Sequence, residues 1–167
     1  KTEINNHFKQ IAVNKLLKEI KNDLKLININ FDKFTHESQI VKTNIIDDLF
    51  KILKNKKLIY EGILPKPKGD DSEWEPRNQL LFRSSSLYDD QDRALKKSNG
   101  EWTYFANDAA YHYDKYLRKF DKIINIWGSD HIGYIPRMKS LLNSIQSEKK
   151  YFEVLTCQIV SLIQNNK

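Results

Sequence analysis

The chain has 167 residues, of which 40% are hydrophobic and 30% charged, which leaves room for one domain with a real core but not for two large ones. No apolar run approaches the roughly 18 residues of a membrane helix, the polar start Lys1-Thr2-Glu3 is not a signal peptide, and a single cysteine, Cys157, excludes an internal disulfide framework or a Cys-based zinc site. The net charge of +6 rests on 23 Lys and only 5 Arg, a bias that fits an AT-rich coding composition as readily as a selected nucleic-acid surface.

Residues 3–27 are predicted as one amphipathic helix, with Ile4, Phe8, Ile11, Ala12, Leu16, Ile20 and Leu24 at spacings of three and four. Residues 28–34 break that pattern and read as a connector. A second helix is predicted over 43–57, with Thr43 or Asn44 as cap, Asp47 and Asp48 in its first turn, and Lys54, Lys56 and Lys57 in its last. Residues 58–60 and 79–83 read as strands on either side of a Pro- and Gly-bearing loop at 64–72. Residues 94–97 and 102–105 flank Asn99-Gly100, a hairpin signal because both residues tolerate positive φ. A helix is expected over 107–118.

Residues 123–127 (Ile-Ile-Asn-Ile-Trp) fit a buried parallel strand. The strand ends at Gly128-Ser129-Asp130-His131 and leads into a helix over about 134–145. In α/β sheets, ligands bind beyond the carboxyl ends of such strands. For residues 152–163, strand and helix compete and periodicity does not decide. The excess positive charge lies in the first part: residues 1–68 carry 14 basic and 8 acidic side chains, and residues 69–167 carry 14 of each. That charge could attract phosphates, or it is simply a solvated helical surface.

Two constellations could carry chemistry. Tyr104 and Asp108 lie four residues apart across the expected strand-to-helix junction, where a carboxylate could bind a guanidinium through charge-assisted bonds. The alternative is a helix-capping Asp and a core Tyr. Asp130 and His131 at the strand end could contact a nucleotide or work as an acid–base pair, or they are turn chemistry with an exposed His. His7, His36 and His112 show no metal-ligand spacing, there is no Gly-rich phosphate loop, and Ser84-Ser85-Ser86 lacks the glycines of a nucleophile elbow.

The segment 74–137 closely resembles arginyl-tRNA synthetase of the bacterial type. The matching residues are Trp74-Glu75-Pro76-Arg77, Leu81-Phe82-Arg83-Ser84, Asp89-Asp90-Gln91-Asp92-Arg93, Trp102-Thr103-Tyr104-Phe105-Ala106-Asn107-Asp108, Ala110-Tyr111-His112 and the run from Trp127 through Gly133-Tyr134 to Arg137. Phe31-Asp32 with Glu37, Ile59-Tyr60-Glu61-Gly62 and the tail 154–160 match more loosely. His131-Ile132-Gly133-Tyr134 and Met138-Lys139-Ser140 resemble the two ATP signatures of class I aminoacyl-tRNA synthetases, but only four residues separate them, so both read as accidents.

The resemblance implies a partial Rossmann-type α/β core: the C-terminal portion of a class I catalytic domain over 1–167. Within it, 1–57 would be mainly helical, 58–105 strands and hairpin, and 106–167 a βα core, with no anticodon-binding domain. It implies arginine contacts from Tyr104, Asp108 and His131, and nucleotide contacts from Gly128, Ser129, Asp130 and His131. The family joins L-arginine to ATP, with Mg2+, and passes the arginyl group to tRNA(Arg). The whole enzyme is expected to be a cytoplasmic monomer. Ala109 and Ile132 depart from the usual Ile and His without removing a ligand. The start without Met and the missing His-x-Gly-His and Lys-Met-Ser-Lys motifs suggest an internal fragment, inactive alone. The other readings are a non-catalytic RNA-binding module and an inactive remnant. An incomplete sheet is also expected to leave an apolar face exposed.

Overall fold

The structure is a computed structural model that describes residues 2–66, 75–146, 151–161 and 164. Trp74, residues 67–72 of the predicted loop and residues 162–163 of the last apolar stretch lie outside the described residues. The chain divides into two compact units, residues 1–35 and 36–167. No described helix is long and apolar enough to cross a membrane.

The first unit is α1 (Thr2–Leu26) and its connector. The helix ends in a Schellman motif. Asn28 takes the left-handed φ of 58°, its N–H bonds Lys25 O, and Ile29 N–H bonds Leu24 O at 2.8 Å. Two orphan carbonyls of the last turn are thereby satisfied. In the connector, Phe31 and Phe34 pack edge to face at 5.6 Å, and Lys21 Nζ sits 4.3 Å over the Phe34 ring.

The second unit begins with α2 (Glu37–Lys42) and α3 (Ile45–Asn55). The expected helix over 43–57 is therefore shorter and is preceded by another. Thr43 does not cap its start; its hydroxyl donates backwards to Ile40 O at 2.7 Å, closing α2. Asn44 holds the N-cap position of α3 without a side-chain hydrogen bond. Three antiparallel strands follow in the order β1 (Ile59–Gly62), β2 (Gln79–Phe82), β3 (Arg93–Lys96). The Asn99-Gly100 turn forms, with Gly100 at φ 86°. Its second arm, however, is a single bridge from Trp102 to Lys96 rather than a strand. The chain leaves the sheet at once because Thr103 caps a helix: its Oγ1 accepts from Ala106 N–H at 3.2 Å. That cap starts α4 (Tyr104–Leu117) three residues before the expected position.

β4 (Lys122–Gly128) crosses through a short 3-10 segment (Ser129–Tyr134) and α5 (Ile135–Ile145) to β5 (Tyr151–Cys157), its parallel neighbour. Pairing from Lys122↔Tyr151 to Gly128↔Cys157 settles residues 151–157 as strand. β4 is buried on one face only, contrary to the sequence reading. Ile123 and Asn125 point inward, whereas Ile124 and Ile126 are exposed. Leu49, Leu53, Phe82, Leu95, Met138, Leu141 and Leu142 are fully buried. Ala106, Ala109 and Ala110 give α4 a small-residue face within this core.

Candidate functional site

Tyr104 and Asp108 are one helical turn apart on α4, not on opposite sides of a strand-to-helix junction. Spacing of four puts both on one face. Tyr104 is 85% exposed, and its hydroxyl has no hydrogen-bond partner among the described residues, so it is not a core tyrosine. Asp108 is anchored twice. Its backbone carbonyl meets His112 Nδ1 at 2.8 Å, and its Oδ2 accepts from the Tyr134 hydroxyl at 2.8 Å.

Behind Asp108 runs a chain of buried polar groups. His112 Nε2 lies 2.6 Å from Asn125 Nδ2, and Asn125 Oδ1 accepts from Lys115 Nζ at 2.9 Å. Burial first, and then the Lys115 charge, push the His112 pKa from 6.5 down to about 4. The ring is therefore neutral near pH 7: Nδ1–H donates to Asp108 O, and Nε2 accepts from the Asn125 amide. This chain ties the first half of α4 to the inward face of β4.

The electrostatics of Asp108 follow from its neighbours. Partial burial pushes its pKa up. The Tyr134 hydrogen bond lowers it, Glu37 on α2 raises it, and His131 and Lys115 lower it. Asp108, Glu37 and His131 therefore act on one space. Glu37 is tied to the residue beside Asp108, since its Oε1 accepts from Asn107 Nδ2 at 2.9 Å.

The strand-end turn is open. Gly128, Asp130 and His131 are exposed, and Ser129 is half-buried. Ser129 Oγ donates to Gln158 Oε1 at 3.2 Å, and His131 Nε2 lies 3.4 Å from Asp130 Oδ2. A Cβ at position 128 would sit 2.3 Å from Asp130 Oδ1, so glycine here makes room for that carboxylate. The His131 ring lies 6.4 Å from Trp127. Thus the fold brings Asp108 and His131 into one electrostatic neighbourhood, while Tyr104 stands free at the rim. Among the described residues, no three His, Cys, Asp or Glu side chains converge as a metal site.

Sequence reasoning placed Tyr134 in the family-like run from Trp127 to Arg137 and at the start of a helix, but gave it no part in the site. It also missed the His112–Asn125 pair. The available signals were a His four residues after Asp108 and one Asn inside an apolar strand. Several other family-like residues hold the loop between β2 and β3. Asp92 accepts from Tyr60 OH and Ser85 Oγ, both at 2.6 Å, and Arg93 forks onto Asp89 with two bonds of 2.7 Å. Ser140 is buried and binds Ser84 O and Tyr88 N–H, and Met138 is a core side chain. Met138 and Ser140 are therefore structural.

This βαβ unit, with polar groups gathered beyond the carboxyl end of β4, has the Rossmann-like fold of class I aminoacyl-tRNA synthetases. A Campylobacter jejuni structure described as an arginyl-tRNA synthetase superposes with a TM-score of 0.76 at 32% identity, over 95% of this chain and 32% of the other. Thermus thermophilus arginyl-tRNA synthetase shares the fold at a TM-score of 0.70 and 17% identity, over 89% of this chain and 30% of the other. No protein-family model matches. The chain is related by sequence, along nearly all of its length, to a segment of the arginine–tRNA ligases. The Wolbachia pipientis wMel enzyme is 43% identical over 98% of this chain, and that of Pelagibacter ubique 46% identical over 94%. The chain spans 29% and 27% of the length of these two relatives.

Proposed function

We propose that this chain supplies the amino-acid pocket, and part of the nucleotide pocket, of an arginine–tRNA ligase that activates L-arginine with ATP and transfers it to tRNA(Arg). The observation that carries this reading is Asp108: an accessible carboxylate on α4, anchored at backbone and side chain, and bonded to the segment that follows the carboxyl end of β4. Arginine's guanidinium is always charged and presents five donors in a planar fork. A fixed carboxylate answers both the charge and the geometry. Tyr104, on the same helix face, has an exposed side chain whose hydroxyl it can offer the substrate. Residues 128–131 would line the adenosine side, with His131 between the two halves. Mg2+ accompanies ATP in such enzymes; the described residues offer no cluster to hold it, and the proposal gives them no part in doing so.

The test is steady-state pyrophosphate exchange by the full-length gene product. Asp108→Asn keeps the size and removes the charge. Loss of a charge-assisted pair costs about 2–5 kcal/mol, so kcat/KM for arginine should fall between about 30-fold and several thousand-fold. KM for ATP should hardly move. A raised ATP requirement with arginine use untouched would show that Asp108 serves another ligand. The 167-residue chain by itself should give only background exchange, because neither ATP signature motif occurs in it; robust turnover would overturn that part.

A further inference from the structure

We infer that Tyr134 is the positioning residue that fixes and charges the Asp108 carboxylate for a guanidinium; the inference rests on the reading of Asp108 given above. The Tyr134 hydroxyl donates to Asp108 Oδ2 at 2.8 Å, across 26 residues of chain. Among the described residues, the other carboxylate oxygen, Oδ1, has no hydrogen-bond partner.

Each carboxylate oxygen can accept more than one hydrogen bond. Oδ2 can therefore keep the Tyr134 bond while Oδ1, and the free lone pair of Oδ2, receive the two parallel N–H groups of a guanidinium. The bond from Tyr134 sets the plane of the carboxylate before the substrate arrives. A short side chain already held in its binding geometry loses less entropy on binding.

The ring that carries this hydroxyl is itself held on three sides. Trp127 packs edge-on at 5.9 Å, Phe105 at 6.3 Å, and the Arg137 guanidinium lies 4.6 Å from the ring centre. These contacts come from β4, α4 and α5. Tyr134 is the last residue of the 3-10 segment, so its backbone is set by the same turn that carries residues 128–131. The arrangement links the proposed amino-acid side to the nucleotide side through one phenol.

The hydrogen bond also acts on charge. Burial and the Glu37 carboxylate favour the protonated form of Asp108, whereas Tyr134, His131 and Lys115 favour the ionised form. Tyr134 in turn faces Asp108, Arg137 and Arg93, and burial with the Asp108 bond keeps its hydroxyl protonated. It can only donate. Removing it should raise the Asp108 pKa.

The experiment is Tyr134→Phe in the full-length gene product, assayed by arginine-dependent pyrophosphate exchange across pH. The ring and its three contacts remain. KM for arginine should rise about 15-fold, at the low end of the range for one lost hydrogen bond to a charged group, with KM for ATP unchanged. The acid limb of kcat/KM for arginine should move to higher pH. A purely structural tyrosine would not shift that limb. Asp108→Asn with Tyr134→Phe completes a double-mutant cycle. Tyr134→Phe should add little once the carboxylate is gone, and the cycle remains readable if Tyr134→Phe lowers the folded fraction equally in both backgrounds. Fully additive losses, or an unmoved acid limb, would overturn the inference. If Asp108→Asn itself left arginine use unchanged, the failure would lie with the reading of Asp108.

Discussion

His112 turns the buried polar chain into a pH-dependent element. Its pKa in the folded protein, about 4, lies below the ordinary 6.5. Between those values the unfolded chain binds more protons than the folded one, so stability rises with pH across that window. Its contribution is complete above about pH 6.5 and is lost as pH falls towards 4. A shift of this size corresponds to roughly 3 kcal/mol. The melting temperature should therefore drop between pH 6.5 and 4, and His112→Gln should flatten that slope. A slope unchanged in His112→Gln would mean that other groups set it. Asp92 acts in a lower window. Burial works against its charge, but Ser85, Tyr60 and Arg83 hold its pKa below 3.8. Stability from Asp92 is thus present above that value and is lost as pH falls below it. Tyr104, exposed and without a hydrogen-bond partner among the described residues, should be silent in stability: Tyr104→Phe should leave the melt unchanged while costing arginine use about 0.5–1.5 kcal/mol. An arginine KM equal to that of the unmodified enzyme would remove Tyr104 from the pocket.

At the level of elements, the helix ends show how a chain with five glycines manages its turns. Three helices stop on a non-glycine residue with positive φ: Asn28 after α1, Lys57 after α3 and Lys119 after α4. After α3 the bonding is a complete Schellman motif, Lys57 N–H to Lys54 O and Leu58 N–H to Leu53 O, both at 2.9 Å. A lysine there carries the left-handed penalty that glycine avoids. Lys57→Gly and Lys119→Gly should each stabilise by about 0.5–1 kcal/mol, read as a shift of the urea midpoint at constant slope. A destabilised Lys57→Gly would show that the lysine side chain holds more than the cap. The N-terminal end of α4 matters more to the site. Thr103 fixes where the helix begins, and hence that Tyr104 and Asp108 share one helix face.

The exposed face of the β4–β5 pair governs how the whole chain behaves. Ile124, Ile126 and Leu155 are 47%, 70% and 47% exposed, and Ile126 and Leu155 are register partners. Neighbouring apolar side chains on an open two-stranded sheet form a contiguous sticky patch. The 167-residue chain should self-associate at micromolar concentrations, and Ile126→Lys should reduce that association, as measured by sedimentation velocity. A monomeric chain with a cooperative, high-temperature melt would contradict this.

The local patterns of the sequence determined much of this architecture. α1, α3, the strands and the parallel strand 122–128 each follow from spacing that repeats within a few residues, because helical and strand hydrogen bonds are short-range or face-defining. The family resemblance likewise rested on contiguous motifs, and relatives and fold neighbours agree with it. Other features depend on which elements pack together. Periodicity did not choose strand for 151–157; parallel pairing with β4 did. α2 is too short to leave a periodic signal. The meeting of Tyr134 with Asp108, and of His112 with Asn125, exists only because the 3-10 segment and α4 converge on the carboxyl half of β4. Contacts 26 and 13 residues apart are invisible to local propensity. They arise when burial of Phe105 and Ala109 in the core, with Trp127 packed against it, brings their polar neighbours within hydrogen-bond reach.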